Sequence, residues 1–256
     1  MSRRRWVGGF VLVIALFGVL SCAENLGVQK KQEEASRNLG EAYYKRGNYT
    51  AALREFLKAE SMYSEDPFLQ DDLGLAYKAK QRPDLAIKHF KKALEINPDY
   101  APAKNNLGAV YLDEGDWDTA ITYFKAVLKN LLYATPHLPL ANLGWAYYNK
   151  KEYHLAEKYY RESLDLKPKF FYAMRGLGLT YMAMGKLDNA AQILESAVKD
   201  YPNADLLYLD LGKLYTLSGE DEKALADYQK IIDLAPDSDL AEKAKKAIQD
   251  IKRQHY

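Results

Sequence analysis

The chain has 256 residues, enough for a full hydrophobic core in one or two domains. Its 36 Lys and Arg nearly balance its 35 Asp and Glu, which excludes a global field that would steer it onto nucleic acid or an anionic membrane surface. A single cysteine excludes an intrachain disulfide.

In chain order, the first segment reads as a targeting signal. Arg3, Arg4 and Arg5 precede an apolar run from Trp6 to Leu20. A positive start and a short apolar stretch mark a secretory signal, too short and too early for a spanning helix. The run ends on Val19-Leu20-Ser21-Cys22, which resembles the lipobox of bacterial lipoproteins. That resemblance implies cleavage before Cys22 and lipidation of its thiol. Ala23 at the next position implies sorting to the outer membrane, with the protein lipid-anchored and facing the periplasm. Residues 1–21 are thus expected to be a lipoprotein signal peptide. Residues 22–32 follow without apolar periodicity, and we read them as a lipidated tether of at most roughly 30 Å if extended.

From residue 33 a rhythm takes over. A Leu-Gly pair recurs at Leu39-Gly40, Leu73-Gly74, Leu107-Gly108, Leu143-Gly144, Leu177-Gly178 and Leu211-Gly212, with spacings of 34, 34, 36, 34 and 34. Tyrosine follows three residues after each Gly, at Tyr43, Tyr77, Tyr111, Tyr147, Tyr181 and Tyr215. Alanine stands nine residues beyond each Tyr, from Ala52 to Ala224, and four later comes Phe56, Phe90, Phe124, Tyr160, Leu194 or Tyr228. Pro98, Pro168, Pro202 and Pro236 close four of the six units.

This pattern resembles the tetratricopeptide repeat over residues 33–238. The resemblance implies an all-α, right-handed superhelical solenoid of six repeats, 33–66, 67–100, 101–134, 137–170, 171–204 and 205–238. The small Gly and Ala let two antiparallel helices approach, and the aromatic rings fill the space beside them. Gly47, Gly115, Gly185 and Gly219 fit a left-handed turn between the helices. After Ser238, Leu240, Ala244, Ala247, Ile248 and Ile251 share one face of a polar-backed helix, which suits residues 239–256 to a capping helix and tail.

Enzyme signatures are missing. There is no HExxH, GxSxG, P-loop or GxGxxG, and His89, His137, His154 and His255 have no metal-ligand spacing. We therefore expect a binding protein with no catalysis, cofactor or metal. In tetratricopeptide arrays the second, fifth, ninth and twelfth positions line the concave face. In this register the partner-binding groove is Leu75, Leu112, Leu138, Trp145, Tyr148, Tyr172, Leu179 and Met182. Glu34, Arg37, Glu41, Arg175 and Lys213 add polar groups. The asparagine of the carboxylate clamp found in chaperone-binding relatives has no counterpart at Glu41, Leu75, Ala109, Trp145, Leu179 or Lys213.

The 36-residue spacing marks an insertion. The third repeat has Leu132 where a closing Pro would stand, and Thr135-Pro136 are extra. A lipobox, six repeats, and Leu132, Tyr133, Thr135 and Pro136 followed by Asn142 and Gly144 resemble the type IV pilus pilotin family, of the PilF, PilW or Tgl type. Its members are outer-membrane lipoproteins that help the pilus secretin reach that membrane and multimerise. The resemblance implies a secretin partner, membrane attachment through lipid, and no nucleic acid. Members often carry cysteine just after the Asn-x-Gly, where this chain has Trp145-Ala146. A general periplasmic scaffold for envelope enzymes or polysaccharide export is the alternative that the same array allows.

Overall fold

The computed structural model describes the backbone of residues 6–254 and the side chains of residues 26–253. The side chain of Cys22 and the first five residues of the expected signal peptide lie outside these. Among the described residues there are thirteen helices and no strand. The chain divides into two compact units, Met1–Val110 and Tyr111–Tyr256.

The N-terminal unit holds α1 (Trp6–Lys45), α2 (Tyr49–Met62), α3 (Pro67–Ala79), α4 (Pro83–Ile96) and most of α5 (Ala101–Asp113). Residues 22–32, the expected tether, continue the helix of α1. No proline interrupts that stretch, and its Gln, Lys and Glu favour helix. At 1.5 Å per residue that stretch spans about 16 Å along the helix.

Local chemistry fixes the helix ends. Asn48 caps α2 by accepting from the Ala51 amide at 3.1 Å, and Asp66 caps α3 by accepting from Phe68 at 2.9 Å, with Pro67 in the first turn. Each such cap contributes about 1 kcal/mol. Phe56, 1% exposed, packs with Ala52, Ala59, Leu69, Leu73 and Ala76 to form the core, and Tyr43, Tyr44 and Tyr77 lie against it. Burying a side chain of that size contributes about 1.5–3 kcal/mol.

The C-terminal unit continues with α6 (Trp117–Leu128), α7 (His137–Asn149), α8 (Tyr153–Leu166), α9 (Phe171–Ala183), α10 (Leu187–Asp200), α11 (Asp205–Ser218), α12 (Asp221–Leu234) and α13 (Asp239–Gln254). Successive helices pack as antiparallel neighbours. In addition α7 touches α9, and α9 touches α11, whereas no second helix of a repeat touches another among the described residues. The first helices therefore line one side together. Parallel ring stacks account for part of the high tyrosine content: Tyr111 with Tyr123 at 5.8 Å and Tyr147 with Tyr159 at 5.4 Å.

Helix-to-helix turns pass through a left-handed residue. Gly47, Gly115, Gly185 and Gly219 have φ of 75°, 79°, 71° and 75°, and Gln81 and Lys151 take the same place with 57° and 62°. The insertion forms the loop between α6 and α7. There Asn130 accepts from the Leu132 amide at 3.0 Å, and Leu131 and Leu132 stand 96% and 92% exposed. α13 buries Ala241, Ala244 and Ile251 and packs on α11 and α12.

Candidate partner-binding pocket

A regular polar contact joins first helices of adjoining repeats. The side chain at the fifth position of one repeat meets the sixth position of the next. In the N-terminal unit Arg37 lies 3.6 Å from Asp72, and Asp71 accepts from Asn106 at 3.0 and 3.2 Å. In the C-terminal unit Arg175 Nε donates to Asp210 at 2.5 Å. Asp210 has a side chain only 2% exposed; burial pushes its carboxyl up, and the Arg175 guanidinium offsets part of that rise.

Between the fourth and fifth repeats this rung is missing, because the two positions are Ala141 and Gly176. Elsewhere the sixth position is Asn38, Asp72, Asn106, Asn142 or Asp210. The phenol of Tyr160, a residue 2% exposed, enters the vacated space. A Cβ at residue 176 would lie 2.3 Å from Tyr160 Cζ and 2.5 Å from its hydroxyl. On the other side a Cβ at residue 144 would stand 2.7 Å from the same ring. Two glycines thus admit one tyrosine.

The open rung leaves a cavity of about 300 Å³, lined by Asp113, Ala141, Asn142, Trp145, Tyr160, Tyr172, Arg175, Gly176 and Leu179. Trp145 is 38% exposed and Tyr172 67% exposed. Tyr148 stacks on Trp145, with centroids 5.3 Å apart and planes 11° from parallel, and burial raises its hydroxyl pKa. Because Asp210 neutralises Arg175 and Asp113 adds a carboxylate, the pocket offers no net positive charge to a free carboxylate. Apolar area and hydrogen bonding are what it has.

Of the residues expected in the groove, Trp145, Tyr172 and Leu179 meet in this cavity, and Tyr148 supports Trp145 from outside it. Leu138 and Met182 are half-buried and do not line it, and Leu75 is half-buried in the N-terminal unit. Leu112, expected on the same surface, is 7% exposed and belongs to the core: periodicity gives the direction of a side chain, not its depth. The sequence marks Tyr160 only as a packing residue and says nothing of its place beside Gly176 in the pocket, although the exceptional Gly at the sixth position is the signal for it.

Tetratricopeptide repeat models match residues 68–131, 99–169, 28–67 and 175–239. The chain belongs to the tetratricopeptide repeat family. Two solved structures resemble it along nearly all of their length. PilF of Pseudomonas aeruginosa superposes with a TM-score of 0.74 at 18% identity, covering 88% of this chain and 99% of that one. PilW, a type IV pilus biogenesis factor, gives 0.78 at 22% identity, covering 82% and 97%. Identities this low make both likenesses ones of fold. Among curated proteins, the BBSome complex member BBS4 of Bos taurus is 30% identical over 79 residues, 31% of this chain. The chain spans only 15% of that relative's length.

Proposed function

We propose that this tetratricopeptide protein is a non-enzymatic outer-membrane lipoprotein that captures a protein segment in the Trp145 pocket and serves as a pilotin for a type IV pilus secretin. The observation that carries the reading is the pocket itself, in which two exposed aromatic rings frame a concave apolar site on an interaction fold. Large aromatic side chains around a desolvated pocket are the chemistry of binding hot spots. The fold likeness to PilF and PilW over nearly their whole chains supports the choice of partner, as do the lipobox and the insertion. Anchoring at Cys22 gathers secretin subunits on one surface, raising their effective concentration without any chemistry. Two or more acyl chains make such anchoring stable, at about 0.8 kcal/mol per buried CH₂.

Deleting the gene and probing outer membranes for detergent-resistant secretin multimers tests the role. Loss of multimer with monomer retained is expected; normal multimers and pili overturn the pilotin reading. The variant Trp145→Ala/Tyr148→Ala tests the pocket: it is expected to remain folded and to lose secretin capture, and unchanged capture overturns the assignment.

A further inference from the structure

The hydroxyl of Tyr160 has no packing duty. At the same place in the repeat Phe56, Phe90, Phe124 and Leu194 fill the space between helices without one. Tyr228 of the sixth repeat also carries a hydroxyl, and Thr216 is its hydrogen-bond partner. Tyr160 is 2% exposed, and its hydroxyl has no hydrogen-bond partner among the described residues. A buried polar group left unpaired costs about 1–3 kcal/mol, so packing alone favours phenylalanine here.

The hydroxyl lies in the vacated rung, 2.5 Å from where a Cβ on residue 176 would stand, and both residues line the Trp145 cavity. Burial pushes the phenol above its ordinary pKa, which keeps the O–H protonated as a donor. A second donor lines the same cavity. Arg175 engages Asp210 through Nε and Nη2, and its Nη1 has no partner among the described residues. Because Asp210 cancels the guanidinium charge and Asp113 borders the space, these donors call for a neutral acceptor. The walls above them are flat and apolar. Trp145 and Tyr172 expose their rings, and Tyr148 stacks on Trp145 and fixes its plane. At about 300 Å³ the cavity is at the lower end of the range for ligand pockets, with room for one large side chain and not for a length of peptide.

We infer that the pocket selects a tyrosine side chain of the protein partner, its ring against Trp145 and Tyr172 and its phenol oxygen accepting from Tyr160 and Arg175. A phenylalanine would meet the walls and leave both donors unused. An indole brings a donor and no acceptor. A glutamine carboxamide brings the acceptor but lacks the contact between rings, about 0.5–1.5 kcal/mol for an aromatic pair. The inference rests on the reading of the Trp145 pocket as the capture site and names what that site captures.

The test titrates the full chain in detergent with N-acetyltyrosinamide, N-acetylphenylalaninamide and N-acetylglutaminamide. The backbone amide signal of Gly176, followed by NMR, reports occupancy of the cavity in wild type and variant alike. In wild type the tyrosine probe is expected to bind about tenfold more tightly than either of the others. Tyr160→Phe, which installs the residue type of Phe56 and Phe90, is expected to keep the fold, checked by its urea midpoint, and to lose most of the preference for tyrosine over phenylalanine. No response to any probe, equal or tighter binding of the phenylalanine or glutamine probe, or a preference unchanged in Tyr160→Phe each overturns the inference. Secretin capture by Trp145→Ala/Tyr148→Ala is a separate readout: capture lost in that variant, with no tyrosine preference in the titration, overturns this inference and leaves the pocket reading standing.

Discussion

Tyr160 holds the space that any side chain at position 176 would need. The ring belongs to the fourth repeat and the glycine to the fifth, so one pair both fixes the contact between repeats and leaves the cavity beside Trp145 open.

Gly176→Ala should therefore destabilise the protein by about 1–3 kcal/mol, the range for forcing a methyl into a packed site. Adding Tyr160→Leu, which places at that position the residue type of Leu194 in the next repeat, should restore part of the loss. Urea midpoints of the wild type, the single and the double variant check this.

Arg175→Ala strands the buried Asp210 carboxylate. Near neutral pH the loss should be about 3–5 kcal/mol, as for other broken buried pairs. Because burial already raises the Asp210 pKa, the loss should shrink as acid neutralises the carboxyl. Denaturation of the variant at neutral and acidic pH measures the difference.

Asp71 gives stability a pH slope of unusual sign. Burial raises its folded-state pKa from 3.8 to about 7, although the bond from Asn106 lowers it somewhat. Between those values the folded chain keeps a proton that the unfolded chain releases, so stability falls as pH rises from about 4 to about 7 and then levels. Glu33 and Asp72 add to the slope. Asp71→Asn should be more stable than wild type by about 1–3 kcal/mol at pH 8, and not at pH 4. Urea midpoints at the two pH values decide it.

Lys151 bridges α7 and α8 with φ of 62°, where four other repeats have glycine. A side chain there costs about 1–2 kcal/mol of backbone strain, against about 0.4–1 kcal/mol of unfolded-state entropy that glycine adds. Lys151→Gly should thus raise stability by up to about 1.6 kcal/mol, seen as a shift in Tm.

The helical pairs were legible because each recurring residue has one packing duty. Leu143 is buried, Gly144 faces the Tyr160 ring, Tyr147 stacks, Ala156 lets the helices close, and repetition at fixed spacing leaves no competing period. That Trp145, Tyr172 and Leu179 share one face is legible for the same reason, since position in a repeat sets the face. Tyr160 was read as core, which it is; its second duty emerges only when the sixth positions of all six repeats are compared. The helical backbone of residues 22–32 leaves no mark on the periodicity, because good helix formers need no apolar stripe to make a helix. Arg37 gathers Glu33, Asp66 and Asp72 from two helices and a loop, and no local pattern announces those ion pairs.

The contacts between fifth and sixth positions make the repeats a sentence, not a string of identical beads. Excising residues 67–100 would bring Arg37 opposite Asn106 and remove Asp71 and Asp72 together, and placing the fifth repeat before the third would set Arg175 opposite Asn106, which has no carboxylate. Recombination between near-identical units is the easy way for such genes to grow or shrink. Where a rung stands, from Arg37 to Asp72, from Asp71 to Asn106 and from Arg175 to Asp210, the junction checks the identity of the next unit, so those neighbours are inherited together.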